Sequence, residues 1–191
     1  MTIGWVEQFI DGGIIVDGLE DPAEAMAGLQ SLALISGSFL AGAMASLSLV
    51  AVPVFLDTTR AADQLYIQWA RLYHHGHLLL PVIAVTTLFL YAHIGLVKRR
   101  LGRQYWRPWL VAGLVTVLMV PFTWVVMTPT NNTLFRLESE ARAGGLLASS
   151  GGLDEAQELV KTWSFMHLSR TMFPLVGAVL GALATINRFR F

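Results

Sequence analysis

The segment Arg71-Leu-Tyr-His-His-Gly-His77 runs directly into the apolar stretch Leu78-Leu-Leu-Pro-Val-Ile-Ala-Val-Thr-Thr-Leu-Phe-Leu-Tyr-Ala-His-Ile-Gly-Leu-Val97. About 20 mostly apolar residues are enough to cross a hydrocarbon core of roughly 30 Å as an α-helix. Three of the chain's five histidines stand at the start of this stretch. Titratable groups at the mouth of a membrane span indicate a functional site. The segment therefore predicts both a membrane fold and the place of its chemistry.

Three further segments have the same character, so the chain contains four candidate spans at about residues 32–55, 78–97, 108–127 and 168–186. Because backbone groups in lipid must be hydrogen-bonded internally, these spans are expected to be helices. The composition agrees, since 54% of the residues are apolar and 14% are charged, whereas soluble domains contain about 25% charged residues. We predict an all-α integral membrane four-helix bundle over residues 31–191, with short helices outside the membrane.

Residues 1–30 form an acidic tail with six Asp and Glu residues and no Lys or Arg. The tail lacks the basic start and cleavage site of a secretory signal peptide, so we expect it to be retained. Basic residues concentrate at positions 98–107, between the second and third spans, and follow the fourth span at Arg188 and Arg190. The positive-inside rule makes that side cytoplasmic. We expect both termini in the cytoplasm and the bundle in an endomembrane, the endoplasmic reticulum.

Several classes of function are excluded by composition and motif. The chain has no cysteine, which excludes disulfides, thiolate metal sites and a cysteine nucleophile. Its formal net charge is zero, so nothing indicates nucleic-acid binding. It contains no phosphate-binding glycine loop, serine triad motif, zinc helix motif or haem-attachment motif. The expected partners are the lipid bilayer and a small molecule.

A second polar set, Trp163, His167 and Arg170, stands at the start of the fourth span. Spacings of four and three residues place all three on one face of a helix. Because the guanidinium stays charged, it favours the neutral form of the neighbouring imidazole, which is a usable general base. The plainer interpretation is that Arg170 reaches lipid headgroups and His167 lies at the interface. We favour the functional pair.

The histidines also suggest a metal site as an alternative. His74, His75 and His77, together with His167, could bind a transition metal, because imidazole suits zinc, copper and iron. No carboxylate has an obvious place beside them, and histidine spacing alone is a weak signal. Neighbouring histidines at a membrane interface often only anchor the helix.

The segment Thr128-Pro-Thr-Asn-Asn-Thr133 follows the third span. Two alternatives are open for it. One is a polar hairpin that supplies amide hydrogen bonds at the rim of a pocket; the other is a third helix that continues past Pro129 and places Thr128 and Asn131 or Asn132 on the face of Trp124. Asn131-Asn132-Thr133 also matches the acceptor motif for N-glycosylation. Its closeness to the membrane favours the structural or pocket role.

Small residues recur every four positions in two spans, at Ser38, Gly42 and Ser46 and at Gly177 and Gly181. Such stripes let membrane helices approach closely, so we predict helix packing at both.

Two further segments, residues 57–73 and 153–163, are predicted to be helices that continue into the second and fourth spans. Pro81 is expected to bend or break the first of these. His93, inside the second span, is expected to hydrogen-bond a neighbouring helix.

Three groups of residues occur in order at the ends of the spans: Trp69, Tyr73, Gly76 and Pro81; Pro121-Phe-Thr123 with Pro129-Thr-Asn-Asn-Thr-Leu134; and Trp163-x-x-x-His167-x-x-Arg170. In this arrangement the chain resembles the small four-span membrane family that includes the fungal anthrone oxygenases. The resemblance covers roughly residues 30–190 and leaves out the acidic tail.

The resemblance implies a cofactor-independent monooxygenase of secondary-metabolite biosynthesis, which oxidises a polyketide-derived anthrone to an anthraquinone with molecular oxygen and without flavin, haem or metal. An anthrone loses a proton from its central methylene to give an electron-rich enolate that can itself reduce oxygen. From this chemistry we expect His167 to be the base, Arg170 to stabilise the enolate, and His74 or His75 to relay the proton. The expected substrate contacts are aromatic rings and amides: Trp69, Tyr73, Trp124, Asn131, Asn132 and Trp163.

Two competing interpretations keep the fold. One is an oxidoreductase that uses a transition metal bound by the histidines. The other is a non-enzymatic protein that binds lipid or another hydrophobic ligand, or that serves as an assembly subunit.

Overall fold

The computed structural model describes residues 22–144 and 152–186. These residues contain four helices that are each long and apolar enough to cross a membrane. Helix α1 has the α-helical parts Pro22–Ser46 and Val52–Thr58, joined by a π-helical turn at Leu47–Ala51. Helix α3 has the α-helical parts Trp106–Val117, Met119–Phe122 and Thr128–Arg142, with a π-helical turn at Thr123–Met127. The other two are α2, Ala62–Arg100, and α4, Leu153–Thr185. Each predicted span coincides with part of one of these helices to within one residue, so the all-α four-span prediction is confirmed.

The outer surface of the bundle is apolar. Phe89, Val125 and Phe165 are 66%, 77% and 73% exposed, and contiguous apolar surface on this scale is unusual in a water-soluble monomer. The same side chains are favourable against acyl chains, so the bundle has the surface of a multi-pass membrane protein.

Two helix boundaries differ from the sequence prediction. Residues 22–30, assigned to the tail, are helical and belong to α1, while residues 1–21 lie outside the described part of the chain. The predicted helix at residues 57–73 is divided, because the backbone is extended at Thr59 and Ala61 and turns the chain from α1 into α2. Pro81 lies inside α2 without ending it.

Of the two alternatives for Thr128–Thr133, the polar hairpin is wrong and the continued helix is confirmed, because these residues begin the last helical part of α3. Pro129 stands in the first turn of that part, where a missing N–H costs little. The buried residues Asn131, Leu134 and Leu137 then repeat every three residues and hold the helix against the bundle. Asn131 is only 5% exposed, which is unsuited to glycosylation.

Residues 145–151, between α3 and α4, lie outside the described residues. The predicted helix at residues 153–163 is confirmed, since it forms the first part of α4 and runs into the fourth span without interruption.

Buried residues form three clusters along the bundle. The cluster beside the α2–α3 loop contains Ala33, Tyr91, Ile94, Trp109, Ala112 and Ala184. The middle cluster contains Leu40, Met44, Leu80, Ala84 and Met119. The cluster at the opposite end is the richest in large rings and includes Tyr66, Trp69, Leu134, Val160 and Trp163.

Only one of the two predicted small-residue stripes packs within the chain. At Gly177 a Cβ atom would lie 2.8 Å from the carbonyl oxygen of Ala112, so α3 and α4 are in close contact there. The stripe on α1 is exposed, and a Cβ at Gly42 would meet nothing within 4 Å. The prediction for α1 is therefore wrong.

The helices α2 and α3 pack together near both of their ends but separate in between. The middle of α3, from Met119 to Met127, packs more closely on α4 than on α2. This separation opens the cavity that contains the candidate site.

Candidate active site

A cavity of about 310 Å³ lies between α2, α3 and α4, in the part of the bundle away from the basic loop. This volume is at the lower end of the range of about 300–1,000 Å³ that is usual for small-molecule sites. Its walls are largely apolar, and the polar and aromatic side chains that line it are Tyr73, His77, Thr123, Trp124, Trp163, His167 and Arg170. Both sets of residues singled out in the sequence therefore contribute to one cavity.

His167 lies at the inner wall of the cavity and is only 1% exposed. Its ring stacks on Trp163, with ring centroids 4.8 Å apart and planes inclined by 30°. Its Nδ1 lies 3.1 Å from the Oγ atom of Ser48. The imidazole is therefore held on one face by an indole and at one nitrogen by a hydroxyl.

Arg170 stands one helical turn further along α4. Its Nη1 donates a hydrogen bond of 2.8 Å to the Oγ atom of Thr123, and that hydroxyl donates to the carbonyl oxygen of Met119 at 2.7 Å. The Nε atom of Arg170 is buried and has no hydrogen-bond partner among the described residues. The ion pairs found in the described part of the chain involve other residues.

A guanidinium half-buried in an apolar cavity is costly, because its charge has lost part of its hydration and gains no counter-charge from the described residues. An anionic ligand placed beside Arg170 would supply that counter-charge. The site is therefore suited to a molecule that carries, or develops, negative charge on an oxygen atom.

The partners of His167 and Arg170 both come from π-helical turns. Ser48 lies in the π turn Leu47–Ala51 of α1, and Thr123 lies in the π turn Thr123–Met127 of α3. Single π turns inside α-helices are rare and occur frequently at functional sites.

The π turn of α1 has a direct geometric effect. Residues four apart on a regular α-helix drift by about 40° around its axis, so a face that repeats every four residues soon turns away. A π turn has more residues per turn, and across it Met44, Ser48 and Val52 all remain buried. Ser48 can therefore face α4. Sequence analysis missed Ser48 and gave Thr123 no role, because nothing in an apolar run marks a π turn.

The aromatic residues form two layers. Tyr73 and Trp163 line the cavity, whereas Trp69 is fully buried behind them, with ring centroids 5.4 Å from Tyr73 and 5.8 Å from Trp163. Trp124 reaches the cavity from its outer rim and is 72% exposed. The structure thus places Trp69 as support for the wall rather than in the wall.

The two asparagines predicted to contact substrate do not line the cavity. The Oδ1 atom of Asn131 accepts a hydrogen bond of 2.9 Å from the Nε1 of Trp163. Asn132 is exposed on the outside of α3. Asn131 therefore fixes the indole that stacks on His167.

The histidines of α2 divide between two faces of the helix. His77 lines the cavity and stacks on Tyr73, with centroids 5.5 Å apart and planes inclined by 19°. Its Nδ1 donates to the carbonyl oxygen of His74 at 2.8 Å. His74 and His75 are exposed and do not line the cavity. His93 is exposed as well, so the predicted helix-to-helix role for it is wrong.

The four histidines considered as metal ligands are not gathered around one point. His77 and His167 line the cavity, whereas the other two lie outside it. Among residues 22–144 and 152–186, no three His, Cys, Asp or Glu side chains are placed to hold one metal ion.

The chain matches the family model for anthrone oxygenases over residues 69–180. It is 51% identical to anthrone oxygenase AgnL2 of Paecilomyces divaricatus, over 81% of this chain and 93% of the relative. It is 44% identical to anthrone oxygenase nsrD of Aspergillus novofumigatus, over 85% and 96% of the two chains. It is also 40% identical to the noranthrone monooxygenase of Aspergillus flavus, over 86% and 76% of the two chains.

No solved structure matches the protein significantly. The family model covers more than half of the chain, including every residue that lines the cavity from α2, α3 and α4. The relatives are aligned over nearly their whole length at high identity. The protein therefore belongs to the anthrone oxygenase family.

Proposed function

We propose that the protein oxidises a polyketide-derived anthrone to the corresponding anthraquinone with molecular oxygen, as a step of secondary-metabolite biosynthesis. The observation that carries this proposal is the pair of buried His167 and half-buried Arg170, one helical turn apart in a largely apolar cavity lined by aromatic rings. The anthrone and noranthrone named for its relatives are flat, apolar and weakly acidic, which fits such a cavity.

The first step is removal of a proton from the central methylene of the anthrone. The Nε2 atom of His167 is the base, because Nδ1 is engaged with Ser48. As the proton leaves, negative charge spreads to the oxygen of the ring carbonyl. Arg170, which lacks a carboxylate partner in the described chain, receives this oxygen and stabilises the enolate.

The second step is attack on oxygen. The enolate transfers one electron to molecular oxygen, and the two radicals combine to form a carbon–oxygen bond at the methylene carbon. The resulting peroxide takes a proton from the His167 imidazolium. Loss of the remaining hydrogen from that carbon as a proton, with cleavage of the oxygen–oxygen bond, gives the second carbonyl and releases water.

The balance is anthrone plus molecular oxygen giving anthraquinone plus water. The substrate supplies all four electrons that reduce oxygen, so the stoichiometry requires no external reductant. The rings of Tyr73 and Trp163 contact the flat substrate, and His77 exchanges the proton with solvent at the rim.

The test uses purified protein in lipid nanodiscs, treated with a strong chelator and supplied with an anthrone and isotopically labelled oxygen, ¹⁸O₂. We expect undiminished oxygen consumption and one labelled atom in each anthraquinone. Activity that disappears on chelation and returns with one added metal would replace this proposal by the metal-dependent oxidoreductase. Activity absent under all conditions, with retained binding of the anthrone, would favour a ligand-binding protein.

The membrane orientation is part of the same proposal. The basic loop at positions 98–107 connects α2 to α3 at the end where α4 also finishes, and the positive-inside rule favours the cytoplasm for it. The cavity then lies toward the lumen of the endoplasmic reticulum. Since the chain has no cysteine, Gln104→Cys and Ser139→Cys each carry one thiol.

Both cysteine positions are exposed, at opposite ends of the bundle. In sealed microsomes an impermeant thiol reagent should label Gln104→Cys directly and Ser139→Cys only after permeabilisation. The reverse pattern would contradict the orientation.

A further inference from the structure

We propose that Ser48 is a positioning residue that fixes the tautomer of His167, with the proton on Nδ1 and the lone pair of Nε2 available to the cavity. The catalytic consequence rests on the proposed function, in which His167 is the base. Ser48 lies outside the residues matched by the family model, which begin at position 69.

The argument begins with the single proton of the serine hydroxyl. The Oγ atom of Ser48 lies 3.1 Å from the carbonyl oxygen of Ser164 and 3.1 Å from Nδ1 of His167. A carbonyl oxygen can only accept a hydrogen bond, so the hydroxyl proton is directed to Ser164. The Oγ atom then has only lone pairs to offer to the imidazole.

Nδ1 of His167 must therefore be the donor in its contact with Ser48. A neutral imidazole carries one N–H group, and the other nitrogen is an acceptor. With the proton on Nδ1, the acceptor is Nε2. The opposite tautomer would place two lone pairs against each other at 3.1 Å and lose the hydrogen bond.

Burial makes this selection effective. Ser48 is 6% exposed and His167 is 1% exposed, so water competes poorly for either group. A second contact ties the same backbone positions together, since the Oγ of Ser164 donates to the carbonyl oxygen of Ser48 at 3.4 Å. The stacked ring of Trp163 then fixes the plane of the imidazole. The pair behaves as one preorganised unit.

Replacing Ser48 by alanine leaves the rest of the cavity intact, because Ser48 does not line it. The imidazole loses the acceptor that selects its tautomer. In part of the population Nε2 then carries the proton, and this nitrogen cannot accept another one from the substrate. We expect kcat to fall by roughly 10- to 100-fold, a part of the ~10²–10⁴-fold that a general base supplies. KM should change little, since no substrate contact is removed.

The conservative variant Ser48→Thr keeps a hydroxyl at the same place and should restore most of kcat. The matched control is Ser38→Ala, which removes a hydroxyl from an exposed position on the same helix and should leave activity unchanged. Thermal unfolding of all variants, measured in nanodiscs, identifies any that fail to fold.

The decisive experiment is ¹⁵N NMR of the full protein, labelled at histidine, in nanodiscs. His167→Gln identifies the His167 signals by their disappearance. We expect a protonated Nδ1 and an unprotonated Nε2 in the wild type and in Ser48→Thr, and a mixture of tautomers in Ser48→Ala. A wild-type His167 protonated at Nε2, or a tautomer unchanged in Ser48→Ala, would overturn the inference.

The NMR readout does not depend on turnover, so the two proposals fail separately. If His167→Gln retains full activity, the proposed function fails while the tautomer assignment stands. If His167→Gln is inactive but Ser48→Ala has the wild-type tautomer and kcat, the positioning role of Ser48 fails alone.

Discussion

The two halves of the bundle differ in the way their helices pack against one another. In the half next to the basic loop, which we call the glycine half, the residues Gly37, Gly95, Gly113, Gly177 and Gly181 stand at helix contacts. In the half that contains the site, which we call the cavity half, the helices are separated by large rings and carry the two π turns. The difference concerns how closely backbones approach.

A Cβ atom added at Gly95 would lie 2.6 Å from Leu110, and one at Gly181 would lie 2.9 Å from Leu34. At Gly76, in the cavity half, the nearest atoms would lie 3.7 Å away. The glycine half therefore holds the helices together by close packing, which leaves the cavity half free to keep an open space and buried polar groups. Stability and chemistry are assigned to different ends of the same helices.

The comparison predicts the largest effect for the base and the cation of the cavity half. His167→Gln and Arg170→Gln should each lower kcat/KM for an anthrone by about 10²–10⁴-fold, measured as anthraquinone formation by purified protein. His93→Ala, which removes an exposed histidine from the glycine half, is the control and should have little effect. Wild-type rates for both His167→Gln and Arg170→Gln would show that the cavity half is not the catalytic half.

A smaller loss is expected when the partner of Arg170 is removed. Thr123→Val deletes the hydroxyl that accepts from Nη1 at 2.8 Å, and hydrogen bonds to charged groups contribute about 1.5–3 kcal/mol. We expect kcat/KM to fall by about 10-fold. Thr123→Ser keeps the hydroxyl and should behave almost as the wild type. Equal activity of the valine and serine variants would show that the hydroxyl of Thr123 does not support Arg170 in catalysis.

The glycine half should respond through stability instead of activity. Gly177→Ala forces a methyl group against the Ala112 carbonyl and the Thr116 hydroxyl, and overpacking of this kind costs about 1–3 kcal/mol. We expect a lower thermal midpoint and a normal rate for each folded molecule. Gly42→Ala, in open space, is the matched control and should not lower the midpoint. A catalytic defect in Gly177→Ala without a change of thermal midpoint would contradict the assignment of stability to the glycine half and of catalysis to the cavity half.

The smallest effects should come from the histidines on the outer face of α2. His74→Ala and His75→Ala should change kcat/KM by less than about twofold, as expected for exposed positions. His77→Ala, at the rim of the cavity, should lower kcat/KM more than either. If His74→Ala or His75→Ala is the more damaging variant, the proton reaches solvent by a route other than His77.

The sequence was sufficient to predict the four spans and the placing of His167 and Arg170 on one face of α4, because both follow from the length and spacing of residues along a helix. Long apolar runs predict membrane helices whatever their neighbours are. The spacing of Trp163, His167 and Arg170 places them on one face of any regular helix. On α2 the four-residue repeat of Trp69 and Tyr73 continues to His77 and not to His74 or His75, so the same periodicity distinguishes the histidine that lines the cavity.

The remaining features depend on tertiary structure. The π turns at Leu47–Ala51 and Thr123–Met127 change the register of their helices, and no local residue pattern marked them. Ser48 therefore had no visible partner in the sequence, although it lies against a histidine 119 positions away. Asn131 was predicted to contact the substrate, and only the packing of α3 against α4 shows that it accepts a hydrogen bond from Trp163 outside the cavity instead.

The central claim is that His167, held by Ser48 and assisted by Arg170, takes the methylene proton of an anthrone in the cavity half. Under strict exclusion of oxygen, this step alone can be followed by ¹H NMR as exchange of the methylene hydrogens with D₂O. The account predicts that the wild type accelerates exchange well above the buffer rate and that His167→Gln reduces it to that rate. Equal acceleration by the wild type and His167→Gln would contradict it.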